Sequence, residues 1–149
     1  MALETIALLI GSISVIPFWL LMIILPRWTL TERLCRHPWI VTPPIILYTL
    51  FLIGSVINGQ VTAMARVNLF DPASIAALLG TPYVVVGAWL HFLALDLWTG
   101  RWIYLDSRAK GLTPYTVSLV LVLVLCLAPL GLATYLIWQY IRQINLPPK

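Results

Sequence analysis

Apolar positions in this chain fall into long, nearly uncharged runs, with neither the strict alternation of strands nor a sustained heptad. Four runs stand out, at about 3–25, 39–57, 82–102 and 114–141. A bilayer span needs about 20 residues at 1.5 Å rise each. Three runs meet this easily. The second is short, and its firmly apolar part starts after Pro43-Pro44. The pattern predicts an all-α integral membrane four-helix bundle, a single transmembrane domain over residues 1–149. Between helices two and three, Asp71 followed by Pro72, with Gly80 closing, specifies a short helix. Ile75, Leu78 and Leu79 share one face of it, so it should lie in the outer interface as a connector or a lid.

Local signals refine these elements. Pro17 is expected to kink the first helix and Pro26 to end it. Ser12 and Ser14 are expected to bond back to their own backbone. Asn58-Gly59-Gln60 closes the second helix, with Gly59 as the C-cap. Asn58 either caps that end or forms a polar rim to a pocket; both readings stay open.

Composition agrees. The chain is 61% hydrophobic and 9% charged, against about 25% charged in soluble domains, and its mean hydropathy is +0.97. The first run lacks the basic start and small-residue cleavage site of a signal peptide. It is read as a retained helix of a bacterial, organelle-encoded or already processed chain. Basic residues set orientation. Arg27, Arg33 and Arg36 lie in the first loop and Arg101, Arg108 and Lys110 in the third; Arg66, Arg142 and Lys149 fall on the other side. Six against three places loops one and three in the cytoplasm or stroma and both termini on the non-cytoplasmic side. Trp28, Trp39, Trp98, Trp102, Tyr104 and Tyr115 would form the aromatic belt there. The net charge of +4 is explained by these anchors, so no nucleic-acid partner is expected. Cys35 and Cys126 read as ordinary thiols at different depths.

The third run carries the candidate chemistry. Within it lie Trp89, His91, Asp96, Trp98, Gly100, Arg101 and Trp102. An Asp at a helix centre costs roughly 2.5–3.5 kcal/mol on insertion scales, so such groups usually face a partner, a cavity or a substrate. At about 100° per residue, His91 and Asp96 diverge by about 140° and are not i,i+4 partners. Each must find its partner elsewhere. A structural interhelical bond is the competing reading for His91. Arg101 is expected to snorkel to the interface, and Asp106 to pair locally with Arg108, Lys110 or Arg101. No phosphate-binding glycine loop, Cys-x-x-Cys or His-Glu-x-x-His is present. No metal and no cofactor is expected. His37 and His91 are the two histidines a haem could use, but joint ligation across the bilayer is disfavoured.

Trp89-x-His91, then Asp96-Leu97, Gly100-x-Trp102 and Asp106, resembles the signature of the plant neoxanthin-synthase-like family. These small four-helix membrane proteins are named for a plant abscisic-acid-deficiency locus and have bacterial and algal relatives. Pro17, Trp19, Met22 and Pro26 fit the resemblance. So does Pro129-Leu-Gly131, where Ala128 replaces the first glycine of a family Gly-Pro-x-Gly. The resemblance implies xanthophyll metabolism in a thylakoid or bacterial inner membrane: opening of an epoxy-carotenoid to an allenic alcohol, without net redox change. Such an isomerisation needs a base at a polyene carbon and an acid at the epoxide oxygen. Carried over, Asp96 and His91 would be that acid and base, Arg101 a helper for the developing oxyanion, and Trp89, Trp98 and Trp102 the pocket lining, with Asn58 at its rim.

Three readings compete: a carotenoid isomerase or its accessory factor; a non-catalytic carotenoid- or lipid-binding subunit of a photosynthetic membrane complex; and a small proton relay or transporter. The expected partners are a carotenoid or other polyisoprenoid lipid, membrane lipids, and either a second copy of the chain or a photosynthetic complex.

Overall fold

The computed structural model describes residues 3–59 and 67–144. Gln60, Arg66 and Lys149, used in the sequence reading, lie outside them. The described residues form seven α-helices and one 3-10 turn and contain no strand. They are α1 (Leu3–Ile24), α2 (Thr29–Arg36), a 3-10 turn (Pro38–Val41), α3 (Thr42–Ile57), α4 (Pro72–Leu79), α5 (Pro82–Ala109), α6 (Pro114–Cys126) and α7 (Ala128–Ile144).

Among the described residues, three stretches are long and apolar enough to cross a membrane: Leu3–Ile24, Pro38–Ile57 and Pro82–Ala109. Only 28% of the most apolar window of each is buried within the protein. The remaining apolar surface requires lipid as its solvent. The fold is all-α and of membrane type.

Most element ends follow from local chemistry. Asp71 caps α4 by accepting from the backbone N–H groups of Ala73 and Ser74 at 3.2 and 3.1 Å, and Pro72 opens the helix, as the sequence predicts. Gly59, with φ +72°, follows the Asn58 C-cap of α3. α5 runs past the expected end at Trp102 to Ala109, because nothing interrupts it before Gly111. There φ is +63°, and the N–H groups of Gly111 and Leu112 bond back to Arg108 and Ser107 carbonyls, a glycine-ended helix stop.

The stretch 114–141, expected as one span, is two helices. α6 ends at Cys126 and α7 starts at Ala128, with Leu127 (φ −149°, ψ 78°) between them. Pro129 is the cause. Inside a continuous helix its ring would strike the Leu125 carbonyl and remove a hydrogen bond. At the second position of a new helix it is harmless. α7 then runs back along α6. Lys110, just before α6, bonds Gln139 of α7 at 2.8 Å. An unbroken helix would set residue 139 about 37 Å from residue 114. Gly131 permits the turn, since a Cβ there would overlap the backbone of Val124.

The chain divides into two compact units. The first comprises residues 1–15 and 41–94: the start of α1, α3, α4 and the first half of α5. Its core is Phe51, Val86 and Leu90, with Leu47, Tyr48 and Tyr83 packed on it. Trp89 donates its indole N–H to Ser12 at 3.2 Å, while Ser14 bonds back to Gly11. The self-bonding expectation therefore holds for Ser14, whereas Ser12 serves as the partner of Trp89.

The second unit comprises residues 16–40 and 95–149. Met22, Leu97, Ile103, Tyr104, Leu121, Val124 and Tyr135 are fully buried in it. Trp19 lies directly over Gly100, where a side chain would collide with its ring. Tyr104 is not a belt residue: its hydroxyl donates to the Pro26 carbonyl at 2.9 Å inside the core. Every Lys and Arg among the described residues belongs to this unit.

Candidate functional site

Within the first unit lies a half-open apolar groove of about 310 Å³. One wall is the α3 face carrying Tyr48, Phe51, Leu52 and Ser55, spaced i, i+3, i+4, i+7. The facing wall is α5, with Tyr83, Gly87 and His91 at four-residue intervals beside Val84, Ala88 and Phe92. Leu78 and Leu79 of α4 close one side. Two of the three residues of the apolar face predicted for that short helix, Leu78 and Leu79, therefore line this groove.

Small side chains at Gly87 and Ala88 keep the groove open opposite Phe51. A Cβ at Gly87 would only just reach the Phe51 ring, at 3.7 Å. Phe51 and Tyr83 stack with centroids 4.1 Å apart. Tyr48 lies 5.4 Å from His91, ring to ring, at a tilt of 52°. Ser55 has its hydroxyl bonded to the Phe51 carbonyl at 2.9 Å. Among the described residues, His91 and the hydroxyls of Tyr48 and Tyr83 have no hydrogen-bond partner. His91 sits about 14 Å along α5 from Pro82, deep in a span. Polar groups at such depth are satisfied by ligand, water or one another.

Of the residues singled out in the sequence, His91 is the one that lines this groove. Asn58 turns its amide back to the Gly54 carbonyl at 2.7 Å, which is its capping role. Trp89 is held by Ser12. Asp96, in the second unit, is half-buried and has no hydrogen-bond or ion-pair partner among the described residues. Trp98 and Trp102 are partly exposed there, Trp98 under the Arg101 guanidinium at 5.0 Å and Trp102 edge-on to Tyr135.

Arg101 reaches α2 in the first loop. Its Nε donates to the Cys35 carbonyl at 2.6 Å and its Nη2 to the Arg36 carbonyl at 3.0 Å. It thus satisfies the orphan carbonyls at the end of α2, where the helix dipole favours a cation. Burial pushes the neighbouring Cys35 thiol up to about 11, with Arg101 acting weakly in the other direction. Glu32 of α2 bonds Arg36 at 2.6 Å and Arg108 at 3.4 Å, and these two partners hold its carboxyl below the ordinary range. Asp106 pairs with Lys110 at 2.8 Å, as expected of a local partner. The same carboxylate oxygen also accepts from Tyr135, at 2.6 Å, and from Gln139.

Sequence reasoning missed the tyrosines and Phe51. Their signal was the helical spacing of aromatic residues on α3 opposite the Gly87-Ala88 pair. The groove combines an aromatic floor, apolar walls and three uncommitted polar groups. It can seat a greasy ring bearing oxygen functions, and it can move protons at such a ring.

The model of a family described as ABA DEFICIENT 4-like matches residues 6–135. The chain belongs to that family. It is also 24% identical, over 135 residues, to Protein ABA DEFICIENT 4, chloroplastic, of Arabidopsis thaliana. The match covers 89% of this chain and 60% of the plant protein. No solved structure matches. The family membership bears out the resemblance carried by the helix-three motif and by Pro17, Trp19 and Pro26, which all fall inside the matched region.

Proposed function

We propose that the chain acts in carotenoid metabolism, as a neoxanthin-synthase-like isomerase that opens an epoxy-carotenoid to an allenic alcohol. The observation that carries this reading is the unpartnered trio of His91, Tyr48 and Tyr83 around an apolar groove, in a chain of this family. His91 takes the proton from the polyene carbon next to the ring. The C–O bond of the epoxide breaks as the allene forms, and a phenol, Tyr48 or Tyr83, delivers a proton to the oxygen. Proton return from imidazolium to phenolate restores the site, so the step is an isomerisation with no cofactor. Asp96 stays in the proposal as the second acid–base candidate, and Arg101 acts by holding α2.

A second reading, a non-catalytic pigment-binding subunit, is favoured by how apolar the groove is. Expression in a host that makes epoxidised carotenoids separates the two. Pigment chromatography should reveal an allenic product that His91→Gln removes. Asp96→Asn tests the alternative group: loss of conversion in a folded protein would bring that carboxyl into the chemistry. Full conversion by either variant strikes that residue from the site, and coloured protein with an unchanged pigment profile favours the binding reading.

For orientation, we keep loops one and three in the cytoplasm or stroma on the charges of Arg27, Arg33, Arg36, Arg101, Arg108 and Lys110. The fold-back carries the end of α7 to Lys110. On that orientation the end of α7 lies in the same compartment as Lys110.

A further inference from the structure

The groove is too small for the whole of a carotenoid. We infer that it receives one cyclic end of the ligand and leaves the remaining chain in the lipid, so that recognition is of the ring alone. This rests on the carotenoid reading above and narrows it. A volume of about 310 Å³ lies at the bottom of the range of small-molecule sites. At the roughly 30 Å³ that a water-sized group occupies, it holds about ten non-hydrogen atoms. That is one methylated six-membered ring with its oxygen, about a quarter of a molecule of about forty carbons.

The lining fits a ring better than a lipid tail. The stacked Phe51–Tyr83 pair presents a flat aromatic surface. The polar groups are placed for a rigid head with two oxygens: the Tyr48–His91 pair on one flank and Tyr83 on another. A saturated acyl chain would leave His91 and Tyr48, both well inside their spans, without partners, which is costly. The groove is half-open, and its rim includes Phe92, 56% exposed, and Leu52, 40% exposed. A polyene leaving the groove therefore meets apolar side chains that face lipid.

The consequence is that chain length and the far end of the ligand go unread. Competition binding on the detergent-solubilised full chain tests this, with an epoxidised, hydroxylated carotenoid as the reference ligand. The competitor is a short norisoprenoid carrying the same hydroxylated epoxy-ring. It should displace the carotenoid with an apparent Kd within about tenfold of the parent's, while an acyclic carotene should not compete. Gly87→Leu, which fills the floor, should abolish binding of both ring ligands. Tyr83→Phe, the milder variant, should weaken both to the same degree. If the carotenoid binds and the ring fragment does not displace it, or if the acyclic carotene competes equally, the inference fails while the carotenoid reading stands. If the carotenoid itself does not bind, that reading falls first.

Discussion

Cysteines at positions 110 and 139, in a background with Cys35→Ser and Cys126→Ser, probe the reversal at Leu127. Lys110 Nζ and Gln139 Oε1 are 2.8 Å apart. Given the reach of the two side chains, their Cα atoms are separated by at most about 14 Å. A straight helix from Pro114 would instead carry residue 139 about 37 Å along its axis. The two geometries differ by more than 20 Å, roughly the length of α6 itself. A short bifunctional thiol reagent should therefore link Lys110→Cys to Gln139→Cys rapidly, read by mass spectrometry of the joined peptides. Lys110→Cys with Leu130→Cys is the control. Residue 130 lies near the turn, a full α6 length away, and should stay unlinked. Absence of the 110–139 link, when both thiols accept a monofunctional tag, would refute the fold-back and restore a single fourth span.

Other outcomes follow from the same contacts. Arg101→Gln removes two charge-assisted bonds to α2 carbonyls and should cost about 2–4 kcal/mol, seen as a lower thermal midpoint and faster alkylation of Cys35; an unchanged midpoint would show that α2 is held by something else. Gly131→Ala pushes a methyl group into the Val124 backbone and should destabilise by at least about 1–3 kcal/mol, so wild-type stability in that variant counts against the tight turn. With its thiol raised to about 11 by burial, Cys35 stays protonated at neutral pH, and its reaction with iodoacetamide should be slow at pH 8 and climb toward pH 11. Glu32 has a folded-state value below its ordinary one, so its contribution is present above the ordinary value and is lost as pH falls through the lowered one. Glu32→Gln should flatten that acid limb in a midpoint-against-pH series; superimposable curves would dismiss the Arg36 and Arg108 pairing.

How much was legible depended on the range of the interaction. The Asp71-Pro72 start of α4 needs only neighbours two or three residues away, and it reads directly from the chain. Long apolar runs reveal helices because a uniform stretch has no other low-energy option in lipid. The same uniformity hid the break at Leu127. Ala128 and Pro129 sit inside a long run without a charged residue, and Gly131 matters only once α6 is placed against it. Asp106 illustrates the limit. Its partner four residues on was foreseen, whereas Tyr135 and Gln139, 29 and 33 residues on, become neighbours only through the reversal. The groove was hidden for a related reason: His91 was visible as an expensive residue, but its companions on α3 are unremarkable until two helix faces are set opposite each other.

Four ties that hold the early part of the chain come from much later in its sequence. Pro26 waits for Tyr104, Glu32 for Arg108, Cys35 for Arg101 and Ser12 for Trp89, gaps of 78, 76, 66 and 77 residues. At translation rates of about 5–20 residues per second, each gap corresponds to about 3–16 s of synthesis. For that interval the nascent first span and α2 exist without these partners, with the Cys35 thiol and the Pro26 and Cys35 carbonyls uncovered.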